Sequence, residues 1–176
     1  MQMLTRVFFA GSIYTLAVGF AFGQEARMAP VTQGTFAFVN QAAIGDSFEI
    51  EAGRLAQSKA ARADVRHFAA QMVTAHSQTS DQLKALAGSD SRLHLETSGP
   101  LDASRRSLLM QLRAAKGTAF DKLYIRQQIE AHRNAVTLFS DYAQSGEDEP
   151  LKQFAARTLP TLQQHLAMAQ KVSAAE

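Results

Sequence analysis

The chain has 176 residues, with 18 Lys and Arg residues, 16 Asp and Glu residues and no cysteine. Its longest basic cluster is Arg105-Arg106, which has no interleaved aromatic residues, so the basic patch of a nucleic-acid-binding protein is missing. The lack of cysteine excludes disulfide bonds and thiolate ligands. Any metal ion must therefore be held by histidine and carboxylate side chains.

The N-terminal segment predicts export. Arg6 precedes sixteen uncharged residues, 7–22, and Ala21-Phe22-Gly23 has the small residues that signal peptidase requires. The alternative is an uncleaved membrane anchor, but a spanning helix needs about 20 apolar residues. We therefore predict a signal peptide over 1–23 that is cleaved near Gly23, and a periplasmic location.

Cleavage would leave 153 residues, a size typical of a single domain. We expect a flexible N-terminal segment over 24–34 and a helical bundle domain over 35–172. The remaining chain is almost neutral, because removal of Arg6 leaves 17 basic residues against 16 acidic ones.

Four long segments have apolar residues at intervals of three and four, which predicts an all-α fold. The predicted helices cover 35–57, 64–88, 118–146 and, beginning near Asp148, the segment through Leu166. Thr118 and Asp121 form a variant capping box at the start of the third helix. No segment alternates with period two for long enough to predict a strand.

The two halves of the chain share a motif. Leu55-Ala-Gln-Ser58 precedes Phe68-Ala-Ala70, and Tyr142-Ala-Gln-Ser145 precedes Phe154-Ala-Ala156 at nearly the same spacing, which indicates a duplicated helical hairpin. Between the hairpins we predict a loop over 89–100 and a short helix over 102–116. A long crossover is typical of a ferritin-like four-helix bundle, although it can also lie across one end of an up-down bundle.

Three of the five histidines fall on apolar helix faces, close to the middle of three different helices. These three are His76, His132 and His165, whereas His67 is expected to face solvent and His94 lies in the predicted loop. Glu49 is central on the first helix, in a stripe of small residues where helices are expected to approach closely (Ala42, Gly45, Ala52 and Ala56). Glu51 is the alternative inward carboxylate.

Three neutral imidazoles and one carboxylate form a ligand set for a divalent metal, with Zn²⁺ or iron as the leading candidates. The predicted metal ligands are His76, His132, His165 and Glu49. The alternative is that these histidines are hydrogen-bonded packing residues of the core.

The standard catalytic motifs are absent from the sequence. It has no Glu-x-x-His of ferritin-like di-iron proteins, no His-Glu-x-x-His, no Gly-rich phosphate loop and no Gly-x-Ser-x-Gly. We therefore predict no catalytic residue.

Four segments resemble a ferritin-like family of exported bacterial proteins that is catalogued as a domain of unknown function and sometimes labelled as outer-membrane proteins. They are 49–56, 68–76, 120–132 and 159–166, and the resemblance covers about 36–170. It implies a ferritin-like bundle with a polar interior site at Glu49, His76, Asp121, His132 and His165, and it implies no reaction. Ala75 departs from the family, because relatives commonly carry Asp there, so a carboxylate beside His76 is expected to be missing.

The leading hypothesis is a periplasmic bundle of unassigned activity that binds a metal ion. The alternative is a structural or stress-related envelope protein that binds another envelope protein through its helix faces. An oxidase or peroxide-handling enzyme is the third hypothesis, and it needs a redox metal with an open coordination position. The sequence identifies neither of these, and it indicates no small-molecule substrate.

Overall fold

A computed structural model describes residues 31–89, 93 and 101–175. Within these residues the chain forms five helices and no strand, which confirms the all-α prediction. The helices are α1 (Gln33–Lys59), α2 (Ala63–Ser89), α3 (Ala103–Ala114), α4 (Gly117–Ser145) and α5 (Glu149–Ala174). The predicted limits of the first four lie within two residues of those observed. The predicted signal peptide and His94 lie outside the described residues.

The four long helices pack as two antiparallel hairpins, α1–α2 and α4–α5, and each hairpin has a three-residue connection. α1 also packs against α4, and α2 packs against α5. At one end of the bundle, the Thr35 hydroxyl lies 2.8 Å from the Tyr142 hydroxyl. At the other end, Asp121 binds the backbone that follows α1. α1 and α4 are therefore antiparallel, and α4 begins at the opposite end of the bundle from the one where α2 ends.

Asp121 does not cap its own helix, so the capping-box prediction is wrong. α4 begins after Lys116, which makes no side-chain cap hydrogen bond. Instead, the buried Asp121 carboxylate accepts hydrogen bonds from the backbone N–H groups of Ala61 and Arg62, at 3.0 and 2.9 Å. These two groups lie just before α2, where helix N–H groups need an acceptor. Asp121 therefore links the second hairpin to the turn of the first.

Two apolar clusters form the core, one toward each end of the bundle. The first includes Phe48, Phe68, Met72, Leu112, Phe120 and Tyr124, and the second includes Phe38, Leu83, Phe139, Leu151, Phe154 and Leu162. Along α2, α4 and α5, the residues between the two clusters include buried histidines. The interior of the bundle is therefore apolar at both ends and polar in the middle. Across the described part of the chain, no helix is long and apolar enough to cross a membrane.

Two glycines of α1 have different surroundings, and only Gly45 belongs to the predicted stripe of small residues. A Cβ atom at Gly53 would lie 2.7 Å from Val73 Cγ2 and 3.2 Å from the Ala69 carbonyl oxygen, so α1 and α2 approach closely there. A Cβ atom at Gly45 would meet nothing within 4 Å. The expected close approach is therefore wrong at Gly45, which lines an open cleft.

Candidate metal centre

The polar layer brings together the three imidazoles that the sequence placed on apolar helix faces. His76 of α2, His132 of α4 and His165 of α5 are all buried, and one ring nitrogen from each lies within 4.8 Å of the other two. Their ring centroids form a nearly equilateral triangle with sides of 5.4, 5.4 and 5.6 Å. His67 is exposed, as predicted. The buried triad could hold a metal ion.

One hydrogen bond of His132 determines which of its ring nitrogens carries the proton and which has a free lone pair. Its Nδ1 atom lies 2.9 Å from the backbone oxygen of Gln128, which can only accept, so Nδ1 carries the proton in the neutral ring. The His132 Nε2 atom therefore has a free lone pair, and it lies 3.4 Å from His76 Nε2. Two nitrogens that are each about 2.0–2.1 Å from one tetrahedral zinc ion would be about 3.3 Å apart. The spacing of the two Nε2 atoms therefore matches that of two ligands of a single ion.

Asp46 is a site residue that the sequence prediction missed. Its Oδ1 atom lies 2.8 Å from His76 Nδ1, and burial raises the pKa of this carboxyl well above its usual range. A carboxylate in this position orients a metal-binding imidazole through the ring nitrogen that faces away from the metal. The expected lack of a carboxylate beside His76, which Ala75 had suggested, is therefore wrong. The sequence did contain one indication that Asp46 belongs to the site, because it lies three residues before Glu49 on the same face of α1.

The protonation state of Asp46 determines whether His76 Nε2 carries a proton where it faces His132 Nε2. If Asp46 is ionised, His76 Nδ1–H donates to it, and the two Nε2 lone pairs point toward each other. Such an arrangement attracts a cation. If Asp46 is protonated, it donates to His76 Nδ1, and His76 Nε2–H donates to His132 Nε2. Asp46, His76, His132 and the Gln128 backbone are thus linked by hydrogen bonds without a metal ion, and the two Nε2 lone pairs converge once Asp46 loses its proton.

Glu49, and not Glu51, is the inward carboxylate of α1. Glu49 Oε1 lies 3.9 Å from His132 Nδ1, and neither of its oxygens has a hydrogen-bond partner among the described residues. Burial, reinforced by the nearby Asp46, raises the pKa of Glu49 to about 8. Glu51 is partly exposed and pairs with Arg113 across 3.5 Å. The structure therefore resolves the choice that the sequence left open.

The three imidazoles are held in their neutral form. Burial lowers the pKa of His76 and His132 to about 4 and that of His165 to about 3. Nearby histidines lower the pKa of His132 and His165 further, because like charges repel. At neutral pH these rings have lone pairs available for a metal ion without first losing a proton. His165 Nδ1 is also buried and has no partner within the described ranges.

The family described as domain of unknown function (DUF4142) matches residues 21–172. The chain belongs to this family. The resemblance noted from the sequence is thereby confirmed for the domain of unknown function, and the family description contains neither the ferritin-like nor the outer-membrane label. No curated protein and no solved structure matches the chain.

This DUF4142 domain has two openings that lead toward the triad. A cleft of about 510 Å³ lies between α1, α3 and α4, and it reaches His76, His132, Asp46 and Glu49. On the opposite side, a groove between α2 and α5 reaches His165 and is bordered by Ala75. The cleft has the volume of a small-molecule site, which is about 300–1,000 Å³.

The donor atoms of this DUF4142 domain favour certain metals. Three imidazole nitrogens and carboxylate oxygens suit zinc, iron and other divalent first-row ions, whereas magnesium and calcium prefer sites made only of oxygen. The three histidines could therefore hold such an ion.

Proposed function

We propose that this domain is a ferritin-like bundle that binds one divalent metal ion, zinc or iron, through His76, His132 and His165, with the Glu49 carboxylate beside His132 assisting. The observation that carries this proposal is the convergence of three buried, neutral imidazoles, two of which have Nε2 atoms 3.4 Å apart. Asp46 would orient His76 from behind, as carboxylates do for metal-bound histidines.

A metal ion would satisfy polar atoms that otherwise lack partners. Both oxygens of Glu49 and His165 Nδ1 have no hydrogen bond to any described residue. Leaving a buried polar group unsatisfied costs about 1–3 kcal/mol. The competing structural interpretation accounts for the hydrogen bonds that connect Asp46, His76 and His132. It leaves Glu49 and His165 unexplained, so metal binding is the better account.

Two features support the ferritin-like part of the proposal. The bundle is built from two antiparallel hairpins, and α4 begins at the opposite end from the one where α2 ends. Simple up-down bundles connect neighbouring ends, whereas ferritin-like bundles need a crossover at this point.

We also infer that the protein is exported and works in the periplasm, since residues 1–23 have the features of a cleaved signal peptide. The expected mature N-terminus is Gln24 or a residue close to it. Intact-mass measurement of protein from the periplasmic fraction tests this inference, and a mass that retains residues 1–23 would instead indicate an anchored form.

The metal proposal is tested by metal analysis of protein purified from periplasm, followed by calorimetric titration of the metal-free protein with Zn²⁺. His132→Gln and His67→Gln form a matched pair, because both remove an imidazole but only His132 is in the triad. We expect one zinc ion per chain in the parent and in His67→Gln, and no specific binding in His132→Gln. A folded parent that binds no zinc or iron would overturn the proposal.

A further inference from the structure

The cleft between α1, α3 and α4 has apolar walls and a polar floor. The walls include Ala42, Phe48, Leu108, Leu123, Leu138 and Phe139. The floor is formed by Asp46, Glu49, His76 and His132, and the charged residues Arg105, Arg126 and Glu130 also line the cleft. An apolar cavity of this size with a few convergent polar groups is typical of a small-molecule site.

Among the described residues that line the cleft, the buried side-chain atoms without a partner are all oxygens. They are both oxygens of Glu49, Asp46 Oδ2 and Gln127 Oε1, and none has a partner within the described part of the chain. The Gln127 amide nitrogen donates to the Leu108 carbonyl oxygen at 3.3 Å, which leaves its amide oxygen for another group. The Gln127 amide oxygen can only accept, so a ligand that reaches it must offer a hydrogen-bond donor.

The charges around the cleft favour a neutral ligand. An ionised organic acid has no hydrogen-bond donor on its carboxylate, so it would leave the Gln127 amide oxygen unpaired. An organic cation would pass Arg105 and Arg126, and it would compete with the metal ion for the same floor. A hydroxyl group avoids both conflicts, because it donates one hydrogen bond and keeps lone pairs for a second contact.

We propose that the α1–α3–α4 cleft binds a small neutral organic molecule whose apolar body packs against the walls and whose hydroxyl end reaches the floor beside Glu49 and Gln127. In the metal-loaded protein, the hydroxyl would approach the triad from the side of His76 and His132, which line the cleft, whereas His165 lines the opposite groove. This last placement rests on the proposed metal centre, whereas the cleft and its unpaired acceptors do not.

Gly45 provides a direct way to close the cleft. It lines the cleft, and a Cβ atom there would meet nothing within 4 Å, so Gly45→Leu adds a side chain where there is free space. Gly88 is the matched control, because a Cβ atom there also meets nothing within 4 Å, but it lies at the end of α2 and away from the cleft. Ala131→Phe closes the cleft from the α4 wall and serves as a second variant if Gly45→Leu misfolds.

The experiment titrates phenol, toluene and benzoate into metal-free and zinc-loaded protein by calorimetry. We expect phenol to bind at least about tenfold more tightly than either analogue, since a site built for a hydroxyl rejects ligands that lack it. Gly45→Leu should weaken phenol binding at least about tenfold and leave zinc binding unchanged, and Gly88→Leu should match the parent for both.

Each result bears on one of the two proposals. If phenol binds no better than toluene, or binds equally well after the cleft is filled, the cleft proposal is overturned. If the parent binds zinc but not phenol, the cleft proposal fails and the metal centre stands. If it binds phenol in a cleft-dependent manner but binds no zinc, the cleft proposal is supported and the metal centre is overturned.

Discussion

The two hairpins have the same architecture but contribute different chemistry to the bundle interior. The first supplies both carboxylates and one imidazole: Asp46, Glu49 and His76. The second supplies two imidazoles, His132 and His165, and its one buried carboxylate, Asp121, lies at the end of the bundle and not beside them. When the halves are aligned on their shared motifs, the positions equivalent to His132 and His76 are Gly45 and Leu162. The repeat therefore preserves the helical scaffold and not the site, which exists only where the hairpins meet.

Burial shifts pKa values in opposite directions for the acids of the first hairpin and the histidines of the second. It raises the pKa of both acids from the first hairpin and lowers the pKa of both histidines from the second. In each case the charged form is disfavoured, because a low-dielectric interior solvates charge poorly. Without metal, the polar layer is therefore neutral. A bound divalent cation would allow the acids of the first hairpin to ionise. Its ligands would be imidazoles from both hairpins.

The largest expected effect comes from His132→Leu, which removes one contribution of the second hairpin. Zinc at one hundred times its Kd should stabilise the parent by about 2.7 kcal/mol, and this gain should vanish in the variant. In chelator, the variant should lose about 1–3 kcal/mol of unfolding free energy, because the Nε2–H group of His76 loses its buried acceptor. Thermal melts of both proteins, in chelator and then in zinc, measure the two effects.

A missing zinc effect would support a packing role for His132 alone. If His132→Leu lowers the melting temperature strongly in chelator, and zinc leaves the parent unchanged, the ring serves the hydrogen-bond chain that links it to His76. The ligand hypothesis would then be untenable.

Asp46→Asn tests what the first hairpin adds beyond direct ligands. Removal of a carboxylate that orients a metal-bound histidine typically weakens metal affinity about 10- to 100-fold. We expect one zinc ion to bind still, with a Kd raised by this factor. Glu51→Gln is the control, because Glu51 lies on the same helix but points outward to Arg113. Equal zinc affinity in Asp46→Asn and in the parent would show that Asp46 does not act through His76.

The smallest expected effect is on the pH dependence of stability, to which the two hairpins contribute in opposite directions. In the metal-free protein, the folded-state pKa of Glu49 is about 8, above its usual value of 4.5, so its contribution to stability is lost as pH rises toward 8. The histidines of the second hairpin have depressed pKa values of about 4 and 3, so their contribution is lost as pH falls below about 6.5.

Comparison with Glu49→Gln isolates the effect of the carboxyl. Between pH 6 and 8 the parent should lose about 1–2 kcal/mol of unfolding free energy relative to Glu49→Gln, and bound zinc should suppress this loss. Denaturant unfolding at several pH values measures the difference. Parallel curves for the two proteins would contradict an inward, protonated Glu49.

The sequence was informative wherever burial follows helical periodicity. His76, His132 and His165 each lie on the apolar stripe of a long helix, so their convergence could be predicted. The burial of Asp46 could have been predicted from its position on the face of α1 that carries Glu49, but its contact with His76 depends on how α1 and α2 pack. The cleft at Gly45 was also missed, since a small residue can mark either close helix packing, as at Gly53, or free space.

Asp121 shows a second limit of local sequence patterns. Its position near the start of a helix matched a capping motif, but its carboxylate binds Ala61 and Arg62 in the other hairpin. A side chain near a helix start can cap its own helix or a neighbouring one. The choice depends on how the hairpins dock, which short-range spacing does not contain.

The central claim is that the two hairpins share one metal ion, and anomalous diffraction from crystals grown with zinc tests it most directly. Data collected on both sides of the zinc absorption edge locate the ion without assumptions about its ligands. We predict one strong peak in the interior, about 2.0–2.1 Å from a ring nitrogen of each of His76, His132 and His165. Zinc found only at surface residues such as His67, with the triad joined by hydrogen bonds alone, would contradict the account.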